Sequence, residues 1–259
     1  FIISKCIYKN EKTLYCVHSF NTDLYINPSR NLGKLLYGCA QKIVTVSNAI
    51  AEKLNTKYSF TNLTTIYNTV NIDSGNDEAE IITTKPYILF FGRLEDGVKN
   101  ISLLFEAYSK SKLPSNNINL KILGEGKDLE MLKQKAKQLG LSHEIEFLGF
   151  ESNPLRYVES AYFTILTSRY EGFPMVIPES LTAGTPVISV DCKSGPNEII
   201  INEHNGLLVE NHNPEALANA MDRFYEDKDL YLHCKLNAKE SVKPFSKENI
   251  GLQWKAILK

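Results

Sequence analysis

Two carboxylates and two cations have the residue types and spacing to bind a phosphorylated sugar. Glu171 and Glu179 lie eight positions apart in RYEGFPMVIPES, and Arg93 and Lys99 lie six apart in FFGRLEDGVKN. Arginine binds phosphate oxygens through two parallel N–H bonds and lysine adds a point charge, while carboxylates accept hydrogen bonds from sugar hydroxyls. The combination indicates a site for a phosphate-bearing polyol. Either pair alone is more typical of solvated surface charge.

A short helix is expected between the two glutamates. Pro174 and Pro178 suit the start of a helix, because residues in its first turn need no N–H partner. Gly184 then ends the helix. Glu171 is therefore expected in the loop before the helix and Glu179 in its first turns. The free N–H groups at such a helix start attract anions, phosphate above all.

Strands alternate with helices along the whole chain, which predicts parallel sheets built from βαβ units. Strands are expected at residues 13–17, 42–46, 63–67, 87–91, 119–123, 145–148, 163–166, 187–190 and 206–209. Helices are expected at residues 32–40, 48–57, 101–110, 129–139, 214–225, 230–241 and 247–259.

This pattern predicts an α/β chain with two doubly wound, Rossmann-like domains. The first, residues 1–84, has about three strands, so its front half is expected to be absent. The second, residues 85–245, has about six. A last helix, 246–259, is expected to cross back onto the first domain. The polar stretch 71–85 is the expected linker, with a surface loop inside one domain as the alternative.

Composition excludes several classes of protein. The 259 residues are 43% hydrophobic and 23% charged with a net charge of −1, which gives no reason to expect a nucleic-acid partner. Five scattered cysteines without CxxC spacing argue against a disulfide framework or a zinc site and fit a reducing cytosol. No apolar run has the length of a membrane span. Because the chain begins with Phe1, we expect a trimmed chain.

Several candidate side chains directly follow predicted strands. His18, Arg93, Phe150 and Glu171 each stand at or near a strand's carboxyl end, where doubly wound sheets bind their ligands. We therefore expect them to face one crevice. The alternatives are a structural role for His18 and a place in the core for Phe150.

The motifs EGFP, PES and AGTPV between residues 171 and 187 together resemble the signature of the retaining GT-B glycosyltransferases. This is the glycosyl transferases group 1 family, which includes glycogen synthase-like enzymes and bacterial capsule and lipopolysaccharide enzymes. FFGR…KN, CVHSF, VTVSNAI and IYNTVN are similar to further elements of that family. The loop 191–199 departs from the family's GGxxE pattern, because Gly195-Pro196 replaces the glycine pair, so only a loose position near the donor is carried over.

The resemblance implies a role for each candidate residue. Glu171 would contact hydroxyls of the donor sugar, and Glu179 would hold the ribose. Arg93 and Lys99 would bind the donor diphosphate, and the resemblance implies that His18 and Glu171 act at the reacting sugar. The remaining donor-binding candidates are Phe150, against the base, and Gly172, Phe173, Pro174, Met175 and Val176.

The implied reaction is transfer of a sugar, with retention, from a nucleotide-sugar to an acceptor hydroxyl in polysaccharide, lipopolysaccharide or glycolipid biosynthesis. A UDP-sugar is the expected donor. The expected acceptor is a glycan or lipid-linked glycan, which implies a cytoplasmic enzyme with peripheral contact to the inner face of the plasma membrane. No cofactor or divalent metal is expected, because the cations supply the charge and no DxD motif occurs.

Four alternative functions are considered at this point. The chain is alternatively a nucleotide-sugar-binding fragment without transfer activity, or a GT-B epimerase. A phosphorylase would need a pyridoxal phosphate lysine, which no motif indicates. A Rossmann oxidoreductase is disfavoured because no GxGxxG follows the first strand.

Overall fold

The structure, a computed structural model, describes residues 13–26, 29–38, 40–72 and 86–259. The described residues form two parallel sheets. The first sheet contains, in spatial order, β1 (Leu14–Val17), β2 (Lys42–Thr45) and β3 (Leu63–Thr65). The second contains β4 (Tyr87–Phe91), β5 (Asn119–Leu123), β6 (Ile145–Gly149), β7 (Thr164–Leu166), β8 (Val187–Val190) and β9 (Gly206–Val209). The predicted fold class, an α/β chain with two parallel sheets and a smaller first sheet, is confirmed.

Helices connect the strands and cover the sheets. They are α1 (Arg30–Tyr37), α2 (Asn48–Tyr58), α3 (Asp96–Lys99), α4 (Ile101–Lys110), α5 (Leu129–Gln138), α6 (Leu155–Ser160), α7 (Val176–Thr182), α8 (Pro196–Ile199), α9 (Pro214–Glu226), α10 (Lys228–Ser241) and α11 (Lys247–Leu258). Among the described residues, no helix has both the length and the apolar character needed to cross a bilayer.

The strand order of the second sheet locates its binding edge. The order is β6-β5-β4-β7-β8-β9, so the chain reverses direction across the sheet between β4 and β7. Doubly wound sheets bind ligands at such a switch point, outside the carboxyl ends of the strands. All five residues of β4 are buried, which explains why its sequence, YILFF, is apolar throughout.

A shared apolar core joins the two domains. Val17 and Ile43 of the first sheet belong to the same buried cluster as Phe173, Ile177 and Leu181 around α7. Removing this surface from water stabilises one arrangement of the two domains. The candidate site residues of the second domain therefore face the surface of the first domain.

The last helix packs on the first domain. Ile250 of α11 is buried in a cluster with Val44 and Ile66, and Trp254 packs against the same cluster. The predicted linker, 71–85, lies outside the described residues from position 73 onward. The exact domain boundaries therefore stay predictions.

Candidate active site

Glycine turns open a cavity at the ends of β4 and β5. Gly124 has a φ of +140°, and a Cβ there would lie 2.0 Å from the carbonyl oxygen of Gly92. A Cβ on Gly126 would lie 2.3 Å from the carbonyl oxygen of Leu94. The two turns approach so closely that only glycine fits. Because glycines have no side chains, a ligand can approach the backbone closely at this edge of the sheet.

This edge forms one wall of a cavity of about 390 Å³. It is lined by Phe91, Gly92, Arg93, Leu123, Gly124, Glu125, Phe150, Glu151, Pro154, Val176 and Glu179. The cavity therefore brings together four of the residues predicted to bind the donor, namely Arg93, Phe150, Val176 and Glu179. Glu151 and Pro154 were not predicted, because nothing in their local sequence indicates that α6 folds toward the cavity.

Phe150 is an exposed aromatic ring in the wall of this cavity. It is 72% exposed, so the alternative that it belongs to the core is wrong. A large apolar side chain held in the open offers a flat surface on which a planar base can stack. Its position directly after β6 explains this exposure, because the sheet ends at Gly149.

Glu179 lies in the first turns of α7, as predicted, and lines the same cavity. Burial raises the pKa of its carboxyl group above the usual value. A half-buried carboxylate that is already poorly hydrated is suited to bind a pair of ligand hydroxyls.

Arg93 lines the same cavity, directly after Gly92. Its side chain is 71% exposed, and its Nη1 lies 3.5 Å from Oε2 of Glu95. An exposed ion pair contributes only about 0–1 kcal/mol. The guanidinium group can therefore turn toward an anionic ligand at little cost.

Lys99 and Glu171, assigned to different parts of the donor by the sequence, form an ion pair. Lys99 Nζ lies 2.7 Å from Glu171 Oε1, and the side chains are only 21% and 13% exposed. The hydroxyl of Ser168 donates a second hydrogen bond to the same carboxylate oxygen at 2.6 Å. The sequence pattern did not identify Ser168, which stands three residues before Glu171. Glu171 is thus held by two donors before any sugar arrives.

The loop after β7 is attached to α3, which explains this pairing. The N–H of Arg169 donates to the carbonyl of Val98 at 2.8 Å, and its guanidinium group donates to Asn100 Oδ1 at 2.8 Å. The Thr167 hydroxyl donates to the carbonyl of Lys99 at 2.8 Å. These contacts fix the loop that carries Glu171 beside the short helix that carries Lys99.

His18 meets the second domain through its backbone. A Cβ on Gly172 would lie 2.2 Å from the carbonyl oxygen of His18, so the loops of the two domains touch here. His18 itself lines a different cavity, of about 200 Å³, together with Ile250 and Trp254. The structure therefore does not place His18 in the cavity of Arg93, although both were expected to face one crevice.

Phe173 and Pro174 are buried and fix the loop. The ring of Phe173 lies 5.5 Å from that of Tyr67 and 5.4 Å from that of Phe245. A Cβ on Gly195 would lie 2.4 Å from Pro174 Cδ. Both residues were predicted to bind the donor, but their side chains pack inside the protein. Only their backbone is available to a ligand.

The predicted helix start lies beside these residues. The first backbone bond there runs from the N–H of Ile177 to the carbonyl of Pro174 at 3.0 Å. The N–H groups of Met175 and Val176 precede it, at the end of a helix where donors lack intrahelical partners.

The comparisons with known proteins agree with this architecture. Residues 73–241 match the family model for glycosyl transferases group 1. The chain belongs to this family. An N-acetylgalactosamine-N,N'-diacetylbacillosaminyl-diphospho-undecaprenol 4-alpha-N-acetylgalactosaminyltransferase of Campylobacter jejuni is 31% identical over 254 residues, which cover 96% of this chain and 67% of that protein. The Escherichia coli lipopolysaccharide 1,6-galactosyltransferase is 30% identical over 182 residues, which cover 66% of this chain and 49% of that protein.

Solved structures show the same fold. HepE of Anabaena in complex with UDP superimposes with a TM-score of 0.87 at 19% identity, covering 99% of this chain and 74% of that one. Staphylococcus aureus TarM gives a TM-score of 0.83 at 21% identity, covering 95% of this chain and 50% of that one. These chains are GT-B glycosyltransferases, and the predicted GT-B fold is confirmed. The chain thus spans between about half and three quarters of the length of the proteins named here.

Proposed function

We propose that this chain binds a UDP-sugar and transfers its sugar, with retention, to an acceptor hydroxyl in the synthesis of a bacterial-type polysaccharide or lipopolysaccharide. The observation that carries the proposal is the cavity at the switch point, which combines an exposed ring, a half-buried carboxylate and an arginine. Phe150 would stack on the base, Glu179 would hold the ribose hydroxyls and Arg93 would reach the diphosphate. The relatives named for sugar transfer and the solved complex with UDP support this assignment.

Lys99 and Glu171 would act where the diphosphate meets the sugar. The ammonium group would stabilise the negative charge that develops on the leaving diphosphate, which is preorganised electrostatic catalysis. Glu171, held by Lys99 and Ser168, would orient the sugar hydroxyls. In this scheme the bond from the anomeric carbon to the phosphate oxygen breaks as the acceptor oxygen attacks from the same face. The acceptor's proton passes to the leaving phosphate oxygen.

The acceptor we propose is a glycan or a lipid-linked glycan. The Campylobacter relative is named for an acceptor linked through diphosphate to undecaprenol. An acceptor of that kind would bring the enzyme to the cytoplasmic face of a membrane. His18, whose backbone touches the loop of Gly172, would lie on the acceptor side of the reacting sugar.

A panel of nucleotides and nucleotide-sugars, tested by thermal shift, examines the donor assignment. A ligand that binds only the folded chain at 100 times its Kd adds about 2.7 kcal/mol to the unfolding free energy. UDP and at least one UDP-sugar should raise the melting temperature more than ADP or GDP. If no nucleotide shifts it, the donor site is wrongly assigned.

Release of UDP with and without acceptor then separates transfer from binding alone. A transferase releases UDP faster when its acceptor is present. A chain that binds UDP-sugar but never accelerates release with any glycan acceptor is a binding protein.

We expect donor binding to be independent of divalent metal. Arg93 and Lys99 provide positive charge at the diphosphate, although Glu171 offsets part of the charge of Lys99. Titration calorimetry with UDP in the presence of EDTA, and again with excess Mg²⁺, should give the same affinity. If EDTA abolishes binding and magnesium restores it, a metal ion supplies the charge.

A further inference from the structure

Glu198 makes three hydrogen bonds across the boundary between the two domains, outside the proposed donor site. It lies on the four-residue helix α8. Its Oε2 accepts the N–H of Asn48 at 2.7 Å and the hydroxyl of Tyr67 at 2.9 Å, and its Oε1 accepts the N–H of Ala49 at 3.2 Å. All three donors belong to the first domain. The resemblance implied only a loose position near the donor for this loop, and the structure shows in addition that the Glu198 carboxylate is hydrogen-bonded to the first domain.

The start of α2 is suited to receive this carboxylate. Asn48 and Ala49 are the first two residues of α2, so their N–H groups have no partner within the helix. The positive end of the helix dipole adds an attraction for a negative charge. Burial, and then the charge of Glu198, raises the pKa of Tyr67. The phenol therefore stays protonated and continues to donate to the carboxylate.

A second contact links the same loop to the proposed sugar-binding loop. The hydroxyls of Ser47 and Ser194 lie 2.7 Å apart and are buried, and the Ser194 hydroxyl bonds to the carbonyl of Gly172 at 3.0 Å. Gly172 in turn touches the carbonyl of His18. The loop of Glu198 thus connects the start of α2 to the residue that follows Glu171.

We propose that Glu198 is a positioning residue, whose carboxylate fixes the loop of Glu171 and Gly172 against His18 across the domain boundary. Glu198 itself does not line the donor cavity. It acts by holding the first domain in register with the second, so that the acceptor-side surface stays at a constant distance from the sugar. Its effect on turnover rests on the proposed function, whereas its effect on domain contact does not.

Disulfide trapping measures the domain contact without any substrate. In a Ser47→Cys/Ser194→Cys background, the two thiols form a bond under mild oxidation only when the domains meet as in the structure. Burial raises the pKa of the neighbouring Cys192 to about 12, so this native thiol stays protonated and competes poorly. The two single-cysteine variants control for bonds formed with other cysteines.

Glu198→Gln should slow this cross-link about tenfold, because charge-assisted bonds to the start of α2 are lost. Glu203→Gln is the matched control, since Glu203 pairs with Arg223 inside the second domain. It should leave the cross-linking rate unchanged. Both variants should bind UDP within about twofold of the parent chain, because neither Glu198 nor Glu203 lines the donor cavity.

An unchanged cross-linking rate in Glu198→Gln overturns the proposal, as does equal slowing in Glu203→Gln. If Glu198→Gln fails to fold, Tyr67→Phe replaces it, since that change removes one donor and keeps the carboxylate. Tyr67→Phe should also slow the cross-link, and a rate equal to the parent's contradicts the inference. Absence of UDP binding in the parent chain would count against the proposed function alone.

Turnover adds a measurement that loss of stability alone would not change. With a UDP-sugar that binds in the thermal-shift panel, Glu198→Gln should lower kcat about tenfold while the KM for the donor is retained. The comparison is made well below the melting temperature of the variant. If the KM for the donor rises instead and kcat stays constant, Glu198 contributes to donor binding and the proposal is wrong.

Discussion

Replacing Lys99 with methionine is expected to weaken UDP binding about tenfold to a hundredfold, because a charge-assisted hydrogen bond contributes about 1.5–3 kcal/mol. Methionine keeps an unbranched apolar side chain and removes the charge. The change also leaves the carboxylate of Glu171, which is 13% exposed, without the cation 2.7 Å away. An unpaired, poorly hydrated carboxylate is costly. We therefore expect a lower melting temperature as well, measured beside calorimetry with UDP.

A double variant separates the two effects. In Lys99→Met/Glu171→Gln the unpaired charge is gone, so the melting temperature should recover while UDP binding stays weak. Arg93→Met is the matched cation change on an exposed side chain. It should weaken UDP binding and leave thermal stability within about 0.5 kcal/mol. Unchanged UDP affinity in both single cation variants would remove the diphosphate assignment.

The strands of the second sheet follow directly from the sequence. β4, β5, β8 and β9 begin and end at the predicted residues, because their sequences are mostly apolar, as the strands of a largely buried parallel sheet are. The three helices α3, α6 and α8 were not predicted. They contain only four to six residues, which is too few for a helical period to appear in the sequence.

The sequence predicts only those site residues whose positions are determined by the carboxyl ends of strands. Arg93 follows β4 and Phe150 follows β6, and only β5 separates these two strands in the sheet, so their convergence on one cavity follows from strand order. The pairing of Lys99 with Glu171 depends on a loop that hydrogen bonds attach to α3 and to the residue after it, and sequence spacing does not encode these bonds. The contacts of Glu198 join positions about 150 apart in the chain, and the approach of the two domains alone creates them.

Changing each glutamate to glutamine should separate nucleotide binding from sugar binding. Glu179→Gln should weaken binding of both free UDP and the intact UDP-sugar, because the variant keeps the shape but loses a charged acceptor for the ribose hydroxyls. Glu171→Gln should leave the affinity for free UDP nearly unchanged, since it leaves Lys99 free to meet the phosphate. It should lower the affinity for the UDP-sugar or its turnover.

Glu179→Gln should also stabilise the ligand-free chain at pH 7. Burial raises the pKa of Glu179, so folding is less favourable when the carboxylate is ionised than when it is protonated. Glutamine removes this cost. The gain in melting temperature should shrink as the pH falls through the raised pKa of the folded state, and it should vanish below about 4.3, the usual pKa of glutamate, where the carboxyl group is protonated in both states. A variant that is more stable and binds UDP less well identifies Glu179 as a binding residue maintained at the expense of stability.

Titration of the parent chain and both variants with UDP and with a UDP-sugar gives a two-by-two comparison, and Glu203→Gln provides the control for loss of a carboxylate elsewhere in the domain. If both glutamates were solvated surface groups, neither change would alter affinity by more than about 0.5 kcal/mol. The contacts already formed by Glu171 argue against that, because Lys99 and Ser168 hold one of its oxygens and leave the other to a ligand. The division of roles fails if Glu171→Gln lowers the affinity for free UDP as much as Glu179→Gln does. Lys99 would then depend on Glu171 for its position, and the pair would act as one phosphate-binding unit.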